Sequence, residues 1–136
     1  MTDLALAFDV RGLPPLKNEA LPVLAAGHRQ ASRVRALLEA ACMAAQRTGW
    51  TPLTDLVALE VVLRRPPDHH SGDATHFLGA IGDVLQDKRR AAGVSLTHLG
   101  VLVDVALYVD DRQIRQISYR EEHAPEPSYS VRVTAL

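Results

Sequence analysis

The stretch DLVALEVVLRRPPDHHSGDATHFLGAIGDVL, residues 55–85, joins two kinds of secondary structure through one polar loop. Its first part, residues 55–63, is rich in Val and Leu and too short for a typical helix between two prolines, which predicts a buried strand. Asp73 stands where a helix N-cap is expected, and apolar residues then recur at helical spacing from Phe77 to Leu85. We expect this helix to end at Gly93.

Two glycines, Gly79 and Gly82, interrupt this second helix. A glycine in a helix interior costs about 1 kcal/mol relative to alanine. Their presence therefore predicts that another part of the chain packs closely against the helix.

Two further elements precede this stretch. Residues 3–10 alternate between apolar and other side chains, which predicts a strand with one face on a core. Residues 28–47 carry apolar side chains at helical spacing, and Gly49 is placed to cap the end of that helix. A strand and a long helix thus come before the second strand.

The part of the chain after the second helix is less regular. Residues 94–108 are strongly apolar, and periodicity alone leaves their structure open; a short helix that enters a strand is one interpretation. Asp110 and Asp111 are expected in a turn before an extended stretch, and residues 129–134 alternate as a final strand. The order of elements indicates an α+β domain that spans residues 1–136.

Composition narrows the possible classes of protein. The 136 residues are 47% hydrophobic and 23% charged, which is typical of a globular domain. Cys42 is the single cysteine, so no intramolecular disulfide is possible, and we expect a reducing compartment such as the cytoplasm. No apolar run approaches the length of a membrane span. The net charge of −1 argues against a general nucleic-acid coat, so any DNA contact must be local.

The order of elements, with Asp73 at the start of the second helix and the turn DDRQI at residues 110–114, resembles the RusA-type Holliday junction resolvases. The likeness covers nearly the whole chain. The family motif reads Asp-x-Asp-Asn, with a lysine four residues on, and later Asp-Asp-x-Gln-(Val/Ile). Here Thr75 stands in place of the second carboxylate and Gly79 in place of the lysine.

The resemblance implies a mixed β-sheet of about four strands with two main helices. It also implies a homodimer that nicks branched DNA with Mg²⁺, or with Mn²⁺. The catalytic carboxylates would be Asp73, Asp110 and Asp111, and the metal ligands would be Asp73, Asp83 and Asp111. Asp83 or Asp110 would replace the carboxylate that is missing at Thr75.

Four basic residues are the candidates for DNA binding: Arg64, Arg65, Lys88 and Arg112. Lys88 or Arg112 would also replace the missing lysine. Loss of a carboxylate and of a cation from the motif leaves a second hypothesis open, a homologue that binds DNA junctions without cutting them.

Two other interpretations remain. His70, Asp73 and His76, with His69 beside them, are possible ligands for zinc or manganese. The near-neutral charge and the apolar residues 94–107 are also compatible with a protein-interaction module.

Overall fold

The computed structural model describes residues 4–17, 23–25, 30–68, 72–90 and 95–136. Its strands are β1 (Ala5–Arg11), β2 (Val57–Arg65), β3 (Ile114–His123) and β4 (Ser128–Ala135), and its α-helices are α1 (Ala31–Thr48) and α2 (Ala74–Val84). Short 3₁₀ segments span Lys88–Arg90, Thr97–Asp104 and Asp111–Gln113. The α+β class expected from the order of elements is therefore confirmed.

The four described strands form one mixed sheet in the order β1-β4-β2-β3. β4 is antiparallel to both β1 and β2, whereas β2 and β3 run parallel. In the register, Leu59 of β2 lies opposite Val133 of β4 and Ile117 of β3. β3 is an edge strand, and most of its side chains are exposed.

Alternating side chains explain why the sheet has one buried face. Leu6, Phe8 and Val10 of β1 point inward, and the same alternation continues in β2 and β4. These side chains and the buried faces of both α-helices form one hydrophobic core, with α1 packed across β1 and in contact with α2. No helix in the described residues is long and apolar enough to cross a membrane.

The ends of the first helix follow the sequence prediction closely. Gly49 has a φ of 66°, in the left-handed region, and its N–H donates to Ala45 O, as expected for a helix C-cap. The predicted start at residue 28 lies outside the described residues, and the helix is described from Ala31.

The prediction for the end of α2 was wrong within the described chain. The helix ends at Val84 rather than continuing toward Gly93, which itself lies outside the described residues. Leu85 O accepts a hydrogen bond from Leu107 N at 2.9 Å, and Gln86 forms an isolated β-bridge with Tyr108. Pairing with a distant segment thus takes the backbone groups that another helical turn would use.

Residues 95–108 contain a 3₁₀ segment and no extended strand. Gly100 interrupts the segment at a φ of 57°, which a glycine adopts without strain. Beyond it, Leu107 and Tyr108 are fully buried, and Tyr108 bridges Leu53 as well as Gln86. Most apolar residues of this stretch therefore belong to the core, whereas Val101 is 83% exposed.

Candidate functional site

Two carboxylates from distant parts of the chain meet beside α2. Asp83 lies in the last turn of α2, and Asp111 is the first residue of the 3₁₀ segment that leads into β3. The two carboxyl groups line the same groove, close enough for the Asp83 carboxylate to act on that of Asp111. Sequence analysis had named both residues as metal ligands, and the structure brings them together.

Local hydrogen bonds hold the turn that carries Asp111. Asp110 and Gln113 form a reciprocal capping box, in which each side chain accepts a backbone N–H from the other end of the segment. Gln113 Nε2 also donates to Leu53 O at 2.8 Å. Gln86 Oε1 accepts the backbone N–H of Asp111 at 3.0 Å, which ties the turn to the residues that follow α2.

Gly82 allows this turn to approach the helix. A Cβ at Gly82 would lie 3.6 Å from Ile114 Cδ1 and 4.0 Å from Asp111 Cβ. The buried hydroxyl of Tyr108 donates to Gly82 O at 2.7 Å, which links the segment before the Asp111 turn to α2. The close packing predicted from the glycines of α2 is therefore confirmed.

The neighbouring residues Asp110 and Asp111 have opposite electrostatic environments. Burial, followed by the adjacent Asp83 carboxylate, raises the pKa of Asp111 to about 6. The Arg112 guanidinium, which bonds the Asp110 carboxylate at 3.0 Å, holds the pKa of Asp110 well below its usual range. Asp110 is therefore engaged with Arg112 and the capping box, and Asp111 is the member of the turn that faces Asp83.

A groove of about 320 Å³ opens above the carboxylate pair. Its lining comprises the two carboxylates, one cation, one hydroxyl and a set of small or apolar residues: Lys17, Leu59, Thr75, Leu78, Gly79, Gly82, Asp83, Asp111, Ile114 and Ile117. Lys17 Nζ lies 2.5 Å from Asp83 Oδ2. The groove thus combines hard oxygen donors with one positive charge.

Asp73 lies apart from this pair. It is the N-cap of α2, and its Oδ1 accepts the His76 backbone N–H at 3.0 Å and the Thr75 hydroxyl at 2.9 Å. These hydrogen bonds, led by that of His76 N, lower the pKa of Asp73. Thr75 lines the groove, whereas Asp73 is outside its lining. The predicted N-cap is confirmed, and Asp73 lies at the opposite end of α2 from Asp83.

The predicted histidine site is only partly within the described residues. His69 and His70 lie outside them, and His76 Nδ1 is 3.1 Å from Asp73 Oδ1. In the described parts of the chain, no group of three or more His, Cys, Asp or Glu side chains is placed to hold a metal ion.

The four basic residues named for DNA binding are dispersed. Arg65 is 8% exposed, pairs with Glu121 at 2.5 Å and lies over the Phe77 ring. Arg64 is 3.7 Å from Glu122, and Arg112 is exposed and pairs with Asp110 at 3.0 Å. None of the four is among the residues that line the groove.

Lys88 is the basic residue whose position differs most from the prediction. It is 2% exposed, and its Nζ donates to Gln86 O at 3.1 Å and to Val105 O. Burial lowers the pKa of Lys88 to about 8. Its ammonium therefore holds two segments of backbone together and has little contact with solvent.

Sequence reasoning missed Lys17. This residue follows Pro14 and Pro15 in a segment without helical or strand periodicity, so no pattern singled it out. Only the spatial packing of this segment against α2 reveals it, through the hydrogen bond from Lys17 N to His76 O at 3.3 Å.

Neither known protein-family models nor curated protein sequences give a match to this chain. The resemblance to the RusA-type resolvases therefore rests on the residues quoted above.

Proposed function

We propose that this protein is a metal-dependent endonuclease that cuts branched DNA, in the manner of the RusA-type Holliday junction resolvases. The observation that carries the proposal is the Asp83–Asp111 carboxylate pair beside a groove. A carboxyl group with a raised pKa beside another carboxylate in a cleft is typical of functional sites, because folding has to hold the two against their mutual repulsion.

The donor set of the groove fits Mg²⁺. This cation prefers oxygen ligands and commonly takes one or two carboxylates, with water and substrate phosphate oxygens in the other positions. Asp83 and Asp111 supply two carboxylates, and Thr75 adds a neutral hydroxyl in the same groove. Mn²⁺ accepts the same ligands. A divalent cation would also offset the repulsion that contributes to the raised pKa of Asp111.

When bound there, such a cation supplies an activated water and neutralises charge on the scissile phosphate. The residues of the chain position these groups. Asp83 and Asp111 hold the cation, and the Asp110–Gln113 capping box fixes the backbone beneath Asp111. Leu78 and Ile114 form apolar walls that lower the local dielectric and so strengthen electrostatic interactions with the phosphate.

The proposal extends to the assembly and its location. A four-way junction has two strands to be nicked symmetrically, so a homodimer with one groove per subunit fits the substrate. The single cysteine and the absence of any possible intramolecular disulfide favour the cytoplasm. Arg112, whose side chain is 84% exposed, is the basic residue best placed to add contacts to DNA backbone, and the Arg64 side chain is 34% exposed.

The direct test is cleavage of a labelled four-way DNA junction at low salt with Mg²⁺ or Mn²⁺. Wild-type protein is expected to give paired nicks, and Asp83→Asn and Asp111→Asn are expected to give none under the same conditions. Asp104→Asn is the matched control, because it removes one exposed carboxylate outside the groove lining. Size-exclusion chromatography with light scattering on the same samples measures whether the chain is a dimer.

The outcomes separate the three candidate functions. Junction binding without nicks, with either metal, would replace the enzyme by a non-catalytic junction-binding homologue. Neither binding nor nicking would favour a protein-interaction module. Equal nicking by the wild type and by both groove variants would refute the assignment of the site.

A further inference from the structure

Lys17 is the one cation among the described residues that line the groove. Its Nζ lies 2.5 Å from Asp83 Oδ2, on the carboxylate pair that is proposed to hold the metal. The Lys17 side chain is 52% exposed, whereas that of Asp83 is 19% exposed. The ammonium group thus contacts the carboxylate and still faces solvent.

The base of the Lys17 side chain is held against α2. Lys17 N donates to His76 O at 3.3 Å. A Cβ at Gly79 would lie 3.5 Å from Lys17 Cδ and 3.9 Å from Lys17 Cβ, which are ordinary van der Waals distances. The aliphatic stem therefore runs along the surface that Gly79 leaves free, and the ammonium group at its end reaches Asp83.

We propose that Lys17 is the phosphate-binding residue of this groove, and that its ammonium exchanges Asp83 for a phosphate oxygen of branched DNA when a divalent cation occupies the carboxylate pair. This inference rests on the proposed function, because it assigns the role of a further residue of the same site.

Charge explains the exchange. In the metal-free protein the Lys17 ammonium offsets one of two adjacent carboxylates, so a divalent cation and the ammonium compete for Asp83. Once the cation takes that carboxylate, the ammonium lacks its partner and lies at the mouth of a groove that receives phosphate. Lysine suits this task because its compact charge is carried on a flexible stem.

The position of Lys17 also accounts for the departure at residue 79. The resembled family has a lysine at this point of the second helix, and the chain has Gly79 there. Lys17 brings its stem across the same helical surface from the segment that follows β1. The positive charge is therefore supplied to the groove from another element of the fold.

Two binding measurements test the exchange without relying on turnover. The first is Mn²⁺ affinity, obtained from free Mn²⁺ by electron paramagnetic resonance in the absence of DNA. The second is fluorescence anisotropy with a four-way junction that carries phosphorothioates at the crossover, in the presence of saturating Mn²⁺. Lys17→Met keeps most of the stem and removes the charge, and Arg47→Met removes one exposed charge outside the groove lining as a control.

Lys17→Met is expected to shift the two affinities in opposite directions. Mn²⁺ binding should tighten about fivefold because a competing charge is gone, and junction binding should weaken about tenfold because a phosphate contact is gone. Arg47→Met should change neither by more than about twofold. Unchanged or weaker Mn²⁺ binding by Lys17→Met, or unchanged junction binding, would overturn the proposal.

Two more variants separate charge from packing. Lys17→Arg retains the positive charge and is expected to stay near wild type in both measurements; a loss equal to that of Lys17→Met would overturn the role of the ammonium. The double variant Lys17→Ala, Gly79→Lys moves the cation onto α2 and is expected to regain junction binding. A correctly folded double variant, judged by its thermal melting, that fails to regain it would overturn the assigned location.

Failure of this inference differs from failure of the proposed function. If the wild-type protein binds no Mn²⁺ and cuts no junction, both the proposed function and the role of Lys17 are refuted. If the wild-type protein binds Mn²⁺ and cuts the junction, but Lys17→Met behaves like Arg47→Met, only the role of Lys17 is refuted.

Discussion

The two ends of α2 carry carboxylates in opposite states. At the N-terminal end, Asp73 is exposed, and its oxygens are satisfied by the Thr75 hydroxyl and by His76. At the C-terminal end, Asp83 and Asp111 lie against each other, partly buried. The pKa of Asp73 is lowered and that of Asp111 is raised to about 6. The arrangement at Asp73 stabilises the helix. The arrangement at Asp83 and Asp111 keeps two carboxylates close together, and a bound cation would reduce their repulsion.

This contrast distinguishes two aspartates that the sequence motif treats alike. An aspartate at a helix start and an aspartate in a turn look equally suitable as metal ligands in a sequence. In the fold, Asp73 has local partners that favour its charged form, whereas burial and the neighbouring Asp83 carboxylate oppose the charged form of Asp111. The pair of adjacent carboxylates is therefore the better candidate for chemistry.

Metal affinity gives the largest expected difference between the two ends. Asp111→Asn removes one of two carboxylates in the groove and is expected to weaken Mn²⁺ binding about 100-fold. Asp73→Asn is expected to weaken it less than about threefold, because the charge of Asp73 is exposed and screened. Free Mn²⁺ measured by electron paramagnetic resonance checks both. An equal loss in the two variants would show that Asp73 belongs to the metal site.

The stability contributions of the carboxylates at the two ends of α2 should change with pH in opposite directions. Asp111 has a pKa of about 6 in the folded protein and an ordinary value of 3.8. The folded state therefore binds the proton more tightly, and the stabilisation is present below about pH 4 and lost as pH rises through about 6. With solvent screening taken into account, the loss is about 1 kcal/mol.

Urea denaturation in EDTA at several pH values measures this loss. We expect Asp111→Asn to lack this loss of stability. The free energy of unfolding of the variant, minus that of wild type, should therefore be larger near neutral pH than near pH 4. If the variant is less stable than wild type by the same amount at neutral pH and in acid, the raised pKa of Asp111 is contradicted.

Asp73 should show the smallest effect and the opposite pH dependence. Its lowered pKa means that its contribution to stability is present above the ordinary value of 3.8 and lost as pH falls further. Asp73→Ala removes the N-cap and is expected to lower the melting temperature slightly, whereas Asp73→Ser keeps a capping oxygen and is expected to preserve it. Differential scanning fluorimetry compares the two; equal melting of both variants would argue against the cap.

Local chemistry was the part of the fold that the sequence predicted well. Alternation located β1 and β4, Gly49 marked the end of α1, and Asp73 marked the start of α2. Each of these signals acts within a few residues of itself. The end of α2 was missed because Leu85 pairs with Leu107, a contact that no local pattern encodes.

The same distinction applies to the candidate site. Asp83 and Asp111 were named from the sequence, but their contact depends on how the chain returns from α2 to β3. Lys88 was named as a DNA-binding residue, and its side chain is buried and donates to Val105 O. Lys17 was missed because its link to the site is a packing contact with Gly79 across two elements.

The parallel pairing of β2 and β3 has a consequence for folding. Parallel neighbours require the chain to travel back along the sheet before the second strand begins, and here α2 and the 3₁₀ segments form that return path. Asp83 and Asp111 meet where the return path ends and β3 starts. The carboxylate pair therefore assembles only after the crossover has closed, so the kinetics of acquiring metal affinity during refolding would report the formation of this non-local topology.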